Sequence, residues 1–146
     1  MKLLIQRVTN ASVKVNNELI SEIKQGLLVF IGVSQEDSSK SIDWLANKLV
    51  NLRIFEDSEG KMNLSVQDIK GEIMVISQFT LYANCEKGRR PSFIEAGEPE
   101  MANQLYKEFC NKVKEYYKEP QKGIFGADMK ISLVNDGPVT IILERS

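Results

Sequence analysis

An unbroken apolar run from Leu27 to Val33 constrains the fold of this chain more than any other feature. The run follows Gly26 and is far shorter than the roughly 20 apolar residues of a membrane-spanning helix. A short run of this kind is typical of a strand that is buried on both faces. We therefore expect a strand in the interior of a sheet.

The remaining chain alternates between strand patterns and helix patterns. Ile42, Leu45 and Leu49 recur at helical spacing, and Pro99 stands at the first position of a longer amphipathic segment that Pro120 ends. Further short β-rich runs predict strands at 3–8, 11–15, 19–23, 73–76, 130–134 and 139–143. Strands interleaved with two helices indicate one α/β or α+β domain that spans residues 1–146.

Composition narrows the class of protein. A chain of 146 residues buries roughly 70% of its unfolded surface, which is enough for a core without metal or disulfide. Cys85 and Cys110 lie far apart and the chain has no histidine, so we expect reduced thiols, no metal site, no cofactor and a cytoplasmic location. No apolar stretch has the length of a membrane helix and the net charge is −1, so we expect neither a membrane nor DNA as a partner.

The segment Ser77-Gln78-Phe79-Thr80-Leu81 closes a buried run with two hydroxyls and an amide. The end of a strand is the usual position of a ligand site in open α/β sheets. A hydroxyl nucleophile needs a neighbouring base, which a chain without histidine must take from a lysine or from the substrate. An edge strand whose polar residues only satisfy a turn explains the same pattern, and the residues alone leave both interpretations open.

A second polar segment, Asn135-Asp136-Gly137-Pro138-Val139-Thr140, interrupts the last apolar pattern. Asn, Asp, Gly and Pro are common turn formers, so the pattern favours a tight turn. The bond before a proline can be cis at modest cost, and a cis bond can aim two neighbouring carbonyls the same way. The alternative interpretation is therefore a pair of acceptors for a ligand amine.

Two further groups of residues are candidates for binding. Phe125 and Met129 stand before the last strand pattern, where they are either core anchors of a loop or part of a site. Lys87, Arg89 and Arg90 form a compact basic cluster in a polar segment. Surface solubility explains this cluster, while arginine also suits the geometry of phosphate.

Several motifs taken together resemble one known family, the D-aminoacyl-tRNA deacylases. The motifs occur in that family's order and spacing, and they span nearly the whole chain. They are Leu4-Ile5-Gln6-Arg7-Val8, Gly60-Lys61-Met62-Asn63-Leu64, Ser77-Gln78-Phe79-Thr80-Leu81, Arg90-Pro91-Ser92-Phe93 and Asn135-Asp136-Gly137-Pro138-Val139-Thr140.

The resemblance implies a fold, an activity and an assembly. The fold would be α/β, with a mixed, mostly antiparallel, barrel-like sheet packed with two main helices. The protein would be a homodimer that hydrolyses the ester of D-aminoacyl-tRNA, and of glycine mischarged on alanine tRNA. Gly137-Pro138 would be a cis pair that reaches into the partner's pocket, holds the substrate ammonium and excludes L side chains. Arg7 would hold this loop.

The resemblance also distributes roles within the site. Ser77, Gln78, Phe79 and Thr80 would form the catalytic strand end, and Phe125 and Met129 would line the pocket or the adenine site. Lys87, Arg89 and Arg90 would contact tRNA.

The chemistry would be assisted by the ribose 2′-hydroxyl, with direct attack by Thr80 as the rival mechanism. Two other functions fit the residues. One is a non-catalytic homodimeric module that binds RNA 3′ ends, and the other is a generic esterase with a threonine nucleophile.

Overall fold

Strand β1 (Lys2–Val15) organises the sheet, because it is hydrogen-bonded along both of its edges. In the computed structural model, which describes residues 1–146, one edge of β1 pairs with β8 (Lys130–Glu144) along nearly its whole length. The other edge pairs first with β3 (Gly26–Gly32) and then with β2 (Glu18–Ile23). All three pairings are antiparallel.

Two parallel strands extend this sheet beyond β3. Strand β6 (Glu72–Ser77) pairs with β3, and the short β7 (Gln121–Lys122) pairs with β6. The Ser21 hydroxyl of β2 donates to the Lys122 carbonyl oxygen at 2.7 Å, so the two ends of the strand path meet. The result is a nearly closed, barrel-like sheet, as the family resemblance implied.

Two helices cover the sheet and complete one α/β domain. Helix α1 (Ile42–Asn51) packs against α2 (Pro99–Tyr116), and Pro99 occupies the first turn of α2 as predicted. The core lies between the helices and the sheet, with Leu27, Val29 and Phe109 fully buried. No helix is both long enough and apolar enough to cross a bilayer.

The structure differs from the sequence prediction in how the strands are divided. The runs predicted at 3–8 and 11–15 belong to one strand, and so do the runs at 130–134 and 139–143. The prediction also missed β7 and a hairpin formed by β4 (Phe55–Glu56) and β5 (Met62–Leu64). These strands of two or three residues are too short for an alternating pattern to be visible.

Candidate active site

A cleft of about 610 Å³ opens where β6 ends, between the sheet, the first turn of α2 and the loop before β8. Most of the residues that line it are apolar. It brings together several residues that the sequence analysis selected, namely Ser77, Gln78, Phe79, Phe125 and Met129. The cleft is therefore the candidate site for a small ligand or for the end of a larger one.

The backbone changes direction within this cleft. Gln78 still donates its N–H to the Ile31 carbonyl at 2.8 Å, which continues the pairing with β3. A 3₁₀ turn then runs over Phe79–Tyr82, and its first hydrogen bond joins Leu81 N to the Gln78 carbonyl at 3.3 Å. The N–H groups of Phe79 and Thr80 precede this bond and have no partner within the turn. They are main-chain donors in the turn that follows Gln78, and Phe79 itself lines the cleft.

Gly32, the last residue of β3, allows this turn to pack closely. A Cβ at Gly32 would lie 3.0 Å from the Leu81 Cβ and 3.2 Å from the Gln78 carbonyl oxygen. Both distances are tighter than ordinary van der Waals contacts, so a larger residue would push the turn away from the sheet. The position of the Phe79 and Thr80 N–H groups therefore depends on a glycine in the neighbouring strand.

Side-chain polar groups in the turn are held to one another. The Gln78 Nε2 amide donates to the Thr80 Oγ1 hydroxyl. Thr80 is exposed and does not itself line the cleft. Because an amide N–H can donate a proton but cannot accept one, this contact does not activate the hydroxyl.

Aromatic side chains form the walls of the cleft. Phe79 and Phe93 meet edge to face with ring centroids 5.0 Å apart, and Tyr106 lies 6.1 Å from Phe125. Phe79 is 56% exposed and Phe93 is 39% exposed, so this aromatic pair is accessible from solvent. The Tyr106 hydroxyl donates to the Val75 carbonyl at 2.8 Å, and burial raises the pKa of Tyr106, so it stays protonated.

The segment around Gly137 forms a large bulge in β8. The tight turn favoured by its sequence pattern is absent. Asn135 pairs with Val8 of β1, and the pairing resumes with Thr140 opposite Gln6. Residues 136–139 thus lie opposite Arg7 alone, and the strand continues in the same direction. The prediction was wrong here because turn-forming residues also suit a bulge, and only the partner strand decides between the two.

Polar contacts hold the bulge at both ends. Buried Arg7 donates from Nε to the Asp136 carbonyl at 3.0 Å and from Nη1 to the Ile54 carbonyl at 2.7 Å. At the other end, Asn135 Oδ1 accepts the Val139 N–H at 2.8 Å. Between these anchors Gly137 and Pro138 are exposed, and the peptide bond that joins them is cis.

Gly137 is the one residue of the bulge whose backbone requires glycine. Its φ is +132°, a conformation that side chains with L configuration rarely adopt. A Cβ there would also lie 3.1 Å from Arg7 Nη2 and 2.8 Å from the Val139 Cγ2 atom. Any other residue would therefore displace the bulge from its anchors.

The cleft and the bulge are far apart within one subunit. Ser77 lies opposite Ile31, which pairs with Leu3 of β1, whereas the bulge faces Arg7 further along β1. The path from Ser77 to the bulge crosses from β6 to β3, to β1 and to β8, and it also runs four residues along the strands. Measured along the surface of the sheet, this path is about 20 Å long. None of Arg7, Gly137 and Pro138 lines the cleft.

The basic cluster lies in a loop beside the cleft. Asn84 and Ser92 exchange backbone hydrogen bonds of 2.8 and 2.9 Å, which close this loop below Phe93. Lys87, Arg89 and Arg90 are exposed on it and do not line the cleft. Glu98 and Asp128 are the charged residues that line the cleft itself. No three His, Cys, Asp or Glu side chains come together where they could hold a metal ion.

Comparison with known proteins assigns the chain to a family. A model of the D-Tyr-tRNA(Tyr) deacylase family matches residues 4–144. The chain belongs to this family. A D-aminoacyl-tRNA deacylase from Geotalea uraniireducens is 60% identical over 144 residues, which cover 99% of this chain and 93% of the relative. The resemblance inferred from the sequence motifs is thereby confirmed.

Solved structures support the family fold. One, described as the "c-Myc DNA Unwinding Element Binding Protein", has a TM-score of 0.93 and 43% identity and covers 100% of this chain and 99% of its own. Another, described as "a probable eukaryotic D-amino acid tRNA deacylase", has a TM-score of 0.81 at 19% identity and covers 97% of each chain. The second neighbour is similar in fold alone.

Sequence reasoning missed parts of the site of this deacylase family member. Phe93 lines the cleft, although its motif entered only through the resemblance. An aromatic residue in a polar, irregular loop was the available signal. The sequence carried no signal for Tyr106, because this residue lies on the apolar face of α2 and resembles an ordinary core residue. Asn135, which closes the bulge, was grouped with the turn formers.

Proposed function

We propose that this protein hydrolyses the ester between a D-amino acid and the terminal adenosine of tRNA, releasing free amino acid and tRNA. Glycine mischarged on alanine tRNA is a second substrate. The observation that carries the proposal is the aromatic-walled cleft at the end of β6, which Phe79 lines and beside which the Phe79 and Thr80 N–H groups begin a 3₁₀ turn. Its position in a chain matched by the deacylase family over residues 4–144 supports this activity.

The selectivity for D-amino acids comes from main-chain carbonyls of the bulge. The Gly137 and Pro138 carbonyls accept the substrate's α-ammonium and leave no room for a side chain of L configuration. A D side chain points away into open space, and glycine has no side chain to exclude. Steric exclusion discriminates more strongly than the loss of one contact, and it tolerates D side chains of many kinds.

The bulge serves the cleft of a partner subunit in a homodimer. Two observations support this arrangement. The bulge is exposed and anchored by buried Arg7, so it keeps its shape while projecting from the surface. It also lies on a different part of the sheet from its own cleft, and none of Arg7, Gly137 and Pro138 lines that cleft. A site that uses both features therefore takes them from two copies of the chain.

The chemistry relies on the substrate as well as on the protein. The ribose 2′-hydroxyl positions a water molecule, whose oxygen adds to the ester carbonyl carbon. The Phe79 and Thr80 N–H groups stabilise the negative charge that develops on the carbonyl oxygen. Collapse of this intermediate breaks the bond to the ribose oxygen, which takes up the proton released by water. Gln78 orients the substrate or the water.

Attack by Thr80 is the rival mechanism, and the contacts of Thr80 do not favour it. Its hydroxyl accepts a hydrogen bond from the Gln78 amide, and no group that could remove its proton is bonded to it. Substrate assistance needs no such base, which suits a chain without histidine.

The remaining partners follow from the surface. Lys87, Arg89 and Arg90 contact tRNA phosphates close to the cleft, and the protein acts in the cytoplasm, where aminoacylated tRNA is used. A net charge of −1 fits a protein that contacts the end of one RNA better than a binder of duplex DNA.

The test is side-by-side hydrolysis of D-tyrosyl-tRNA and L-tyrosyl-tRNA by the purified protein. We expect rapid loss of the D ester while the L ester persists. Loss of neither ester would leave a module that binds RNA 3′ ends. Equal loss of both would indicate an esterase without a chiral filter, and turnover of small activated esters that lack ribose would point to a threonine nucleophile.

A further inference from the structure

The bulge of β8 is closed at its base by the side chain of Asn135. The regular pairing with β1 stops at the Val8–Asn135 pair and resumes at the Gln6–Thr140 pair. Across this gap, Asn135 Oδ1 accepts the Val139 N–H at 2.8 Å, and Asn135 Nδ2 donates to Thr140 Oγ1 at 3.0 Å. One amide side chain therefore bonds the Val139 N–H and joins the two sides of the gap in the ladder.

The chemistry of the amide suits this position closely. The Val139 N–H is a donor, so the Asn135 atom that faces it must be the oxygen, and this fixes the NH₂ group toward Thr140. The same Thr140 hydroxyl accepts from Gln6 Nε2 at 3.3 Å, which ties the closure to β1. An aspartate could keep the contact with Val139 but could not donate to Thr140.

Arg7 alone does not fix the bulge. It donates a hydrogen bond to the carbonyl of Asp136, which precedes Gly137. It forms no hydrogen bond with the residues that follow Gly137. Glycine has no side chain to restrict its rotation, so Gly137 could act as a pivot. The Val139 N–H bond to Asn135 supplies the second fixed point, and the buried Val139 side chain reinforces it.

We infer that Asn135 is a positioning residue that sets the selectivity between D- and L-aminoacyl substrates. It holds the Pro138 side of the bulge, while Arg7 holds the Asp136 side. This role rests on the proposed function, in which the Gly137 and Pro138 carbonyls face the substrate. Asn135 itself touches no substrate and acts through the backbone of Val139.

The experiment compares the unchanged chain with Asn135→Ala, Asn135→Asp and Thr140→Val. We expect Asn135→Ala to lower the ratio of D- to L-tyrosyl-tRNA hydrolysis about tenfold, as for the loss of one partly buried hydrogen bond. Asn135→Asp keeps the acceptor for Val139, and Thr140→Val keeps the whole Asn135–Val139 contact. Both should therefore retain most of the selectivity.

A second measurement follows the backbone directly. Hydrogen exchange at the Val139 amide should accelerate in Asn135→Ala and stay slow in Asn135→Asp, whatever the rate of catalysis. Asn10→Ala is the matched control, because Asn10 is exposed on β1 and its side chain hydrogen-bonds to its neighbour Thr9. We expect this control to change neither the ratio nor the exchange.

The outcomes separate this inference from the proposed function. Equal hydrolysis of both esters by the unchanged chain would overturn the proposed function and the role of Asn135 with it. Selectivity in the unchanged chain that survives in Asn135→Ala would overturn the role of Asn135 alone. An equal loss of selectivity in Asn10→Ala would also overturn it, since the effect would then belong to the sheet in general.

Discussion

The cleft and the bulge are built in opposite ways. The cleft forms where a strand buried on both faces ends, and α2 and the core support its walls. The bulge projects from a strand that pairs on one edge only, and polar contacts to Arg7 and Asn135 fix its shape. Substitutions in the cleft should therefore disturb rate and stability together. Substitutions in the bulge should disturb substrate binding and selectivity with little loss of stability.

The largest expected effect concerns the assignment of the two regions to different subunits. Gly137→Val should displace the bulge, and Ala127→Trp should fill the cleft, because Ala127 lines it. Each variant alone should lose D-tyrosyl-tRNA hydrolysis at least about a hundredfold, or about 2.7 kcal/mol. Co-expressed in equal amounts, they should recover roughly a quarter of the unchanged activity, since half the dimers contain one complete site.

Separately tagged copies allow the mixed dimer to be isolated and assayed. A mixed dimer as inactive as its parents would contradict a shared site and would place the bulge and the cleft of the same subunit together. As a control for exchange of subunits, the unchanged protein is mixed with an inactive variant that carries both substitutions. The change in hydrolysis rate after mixing is then measured.

The next effect tests the anchor of the bulge. Arg7→Met removes the donors to the Asp136 and Ile54 carbonyls and should lower the free energy of unfolding by about 2–4 kcal/mol. It should also raise hydrolysis of L-tyrosyl-tRNA. Urea unfolding and the two ester assays measure these effects. Arg53→Met is the matched control, because exposed Arg53 makes a single 3.3 Å contact with the Asn63 carbonyl.

A smaller effect concerns the loop beside the cleft. Replacing Arg89 and Arg90 with Glu should weaken tRNA binding about tenfold at low salt and should flatten its dependence on salt concentration. The hydrolysis rate at saturating substrate should stay nearly constant, since neither residue lines the cleft. Unchanged affinity together with an unchanged salt slope would remove this loop from the RNA-binding surface.

The smallest expected effect is in the cleft region itself. Thr80→Ala deletes the hydroxyl that Gln78 contacts and should change turnover of the D ester by less than about threefold, as expected for one exposed hydrogen bond. Single-turnover kinetics with bound substrate isolate the chemical step. Collapse of that step with binding intact would identify Thr80 as the nucleophile.

Sequence patterns predicted those strands and helices whose formation depends on residues close together in the chain. The apolar run at Leu27 gave the central strand, and Pro99 marked the start of α2. The bulge could not be predicted in this way. Asn135 to Pro138 have the chemistry of a turn, and they form a bulge because β1 continues to pair with β8 on both sides of Arg7.

The site was partly predictable for the same reason. Ser77, Gln78 and Phe79 stand out locally, since polar residues end a buried run, and the cleft contains them. Phe93 and Tyr106 reach the cleft from distant segments, so only the tertiary structure shows their position. The length and register of pairing between β1 and β8 likewise depend on residues more than a hundred positions apart.

The pairing of β1 with β8 also has a consequence for synthesis. Lys2 is the partner of Glu144, so the first strand meets this neighbour only after more than a hundred further residues have been synthesised. Until then β1 can form its hairpin with β2 and its pairing with β3, while its other edge stays open to pairing with foreign strands. Contacts of such high sequence separation slow folding. The edge of β1 that faces the bulge in the folded protein is thus a site where the nascent chain is open to aggregation.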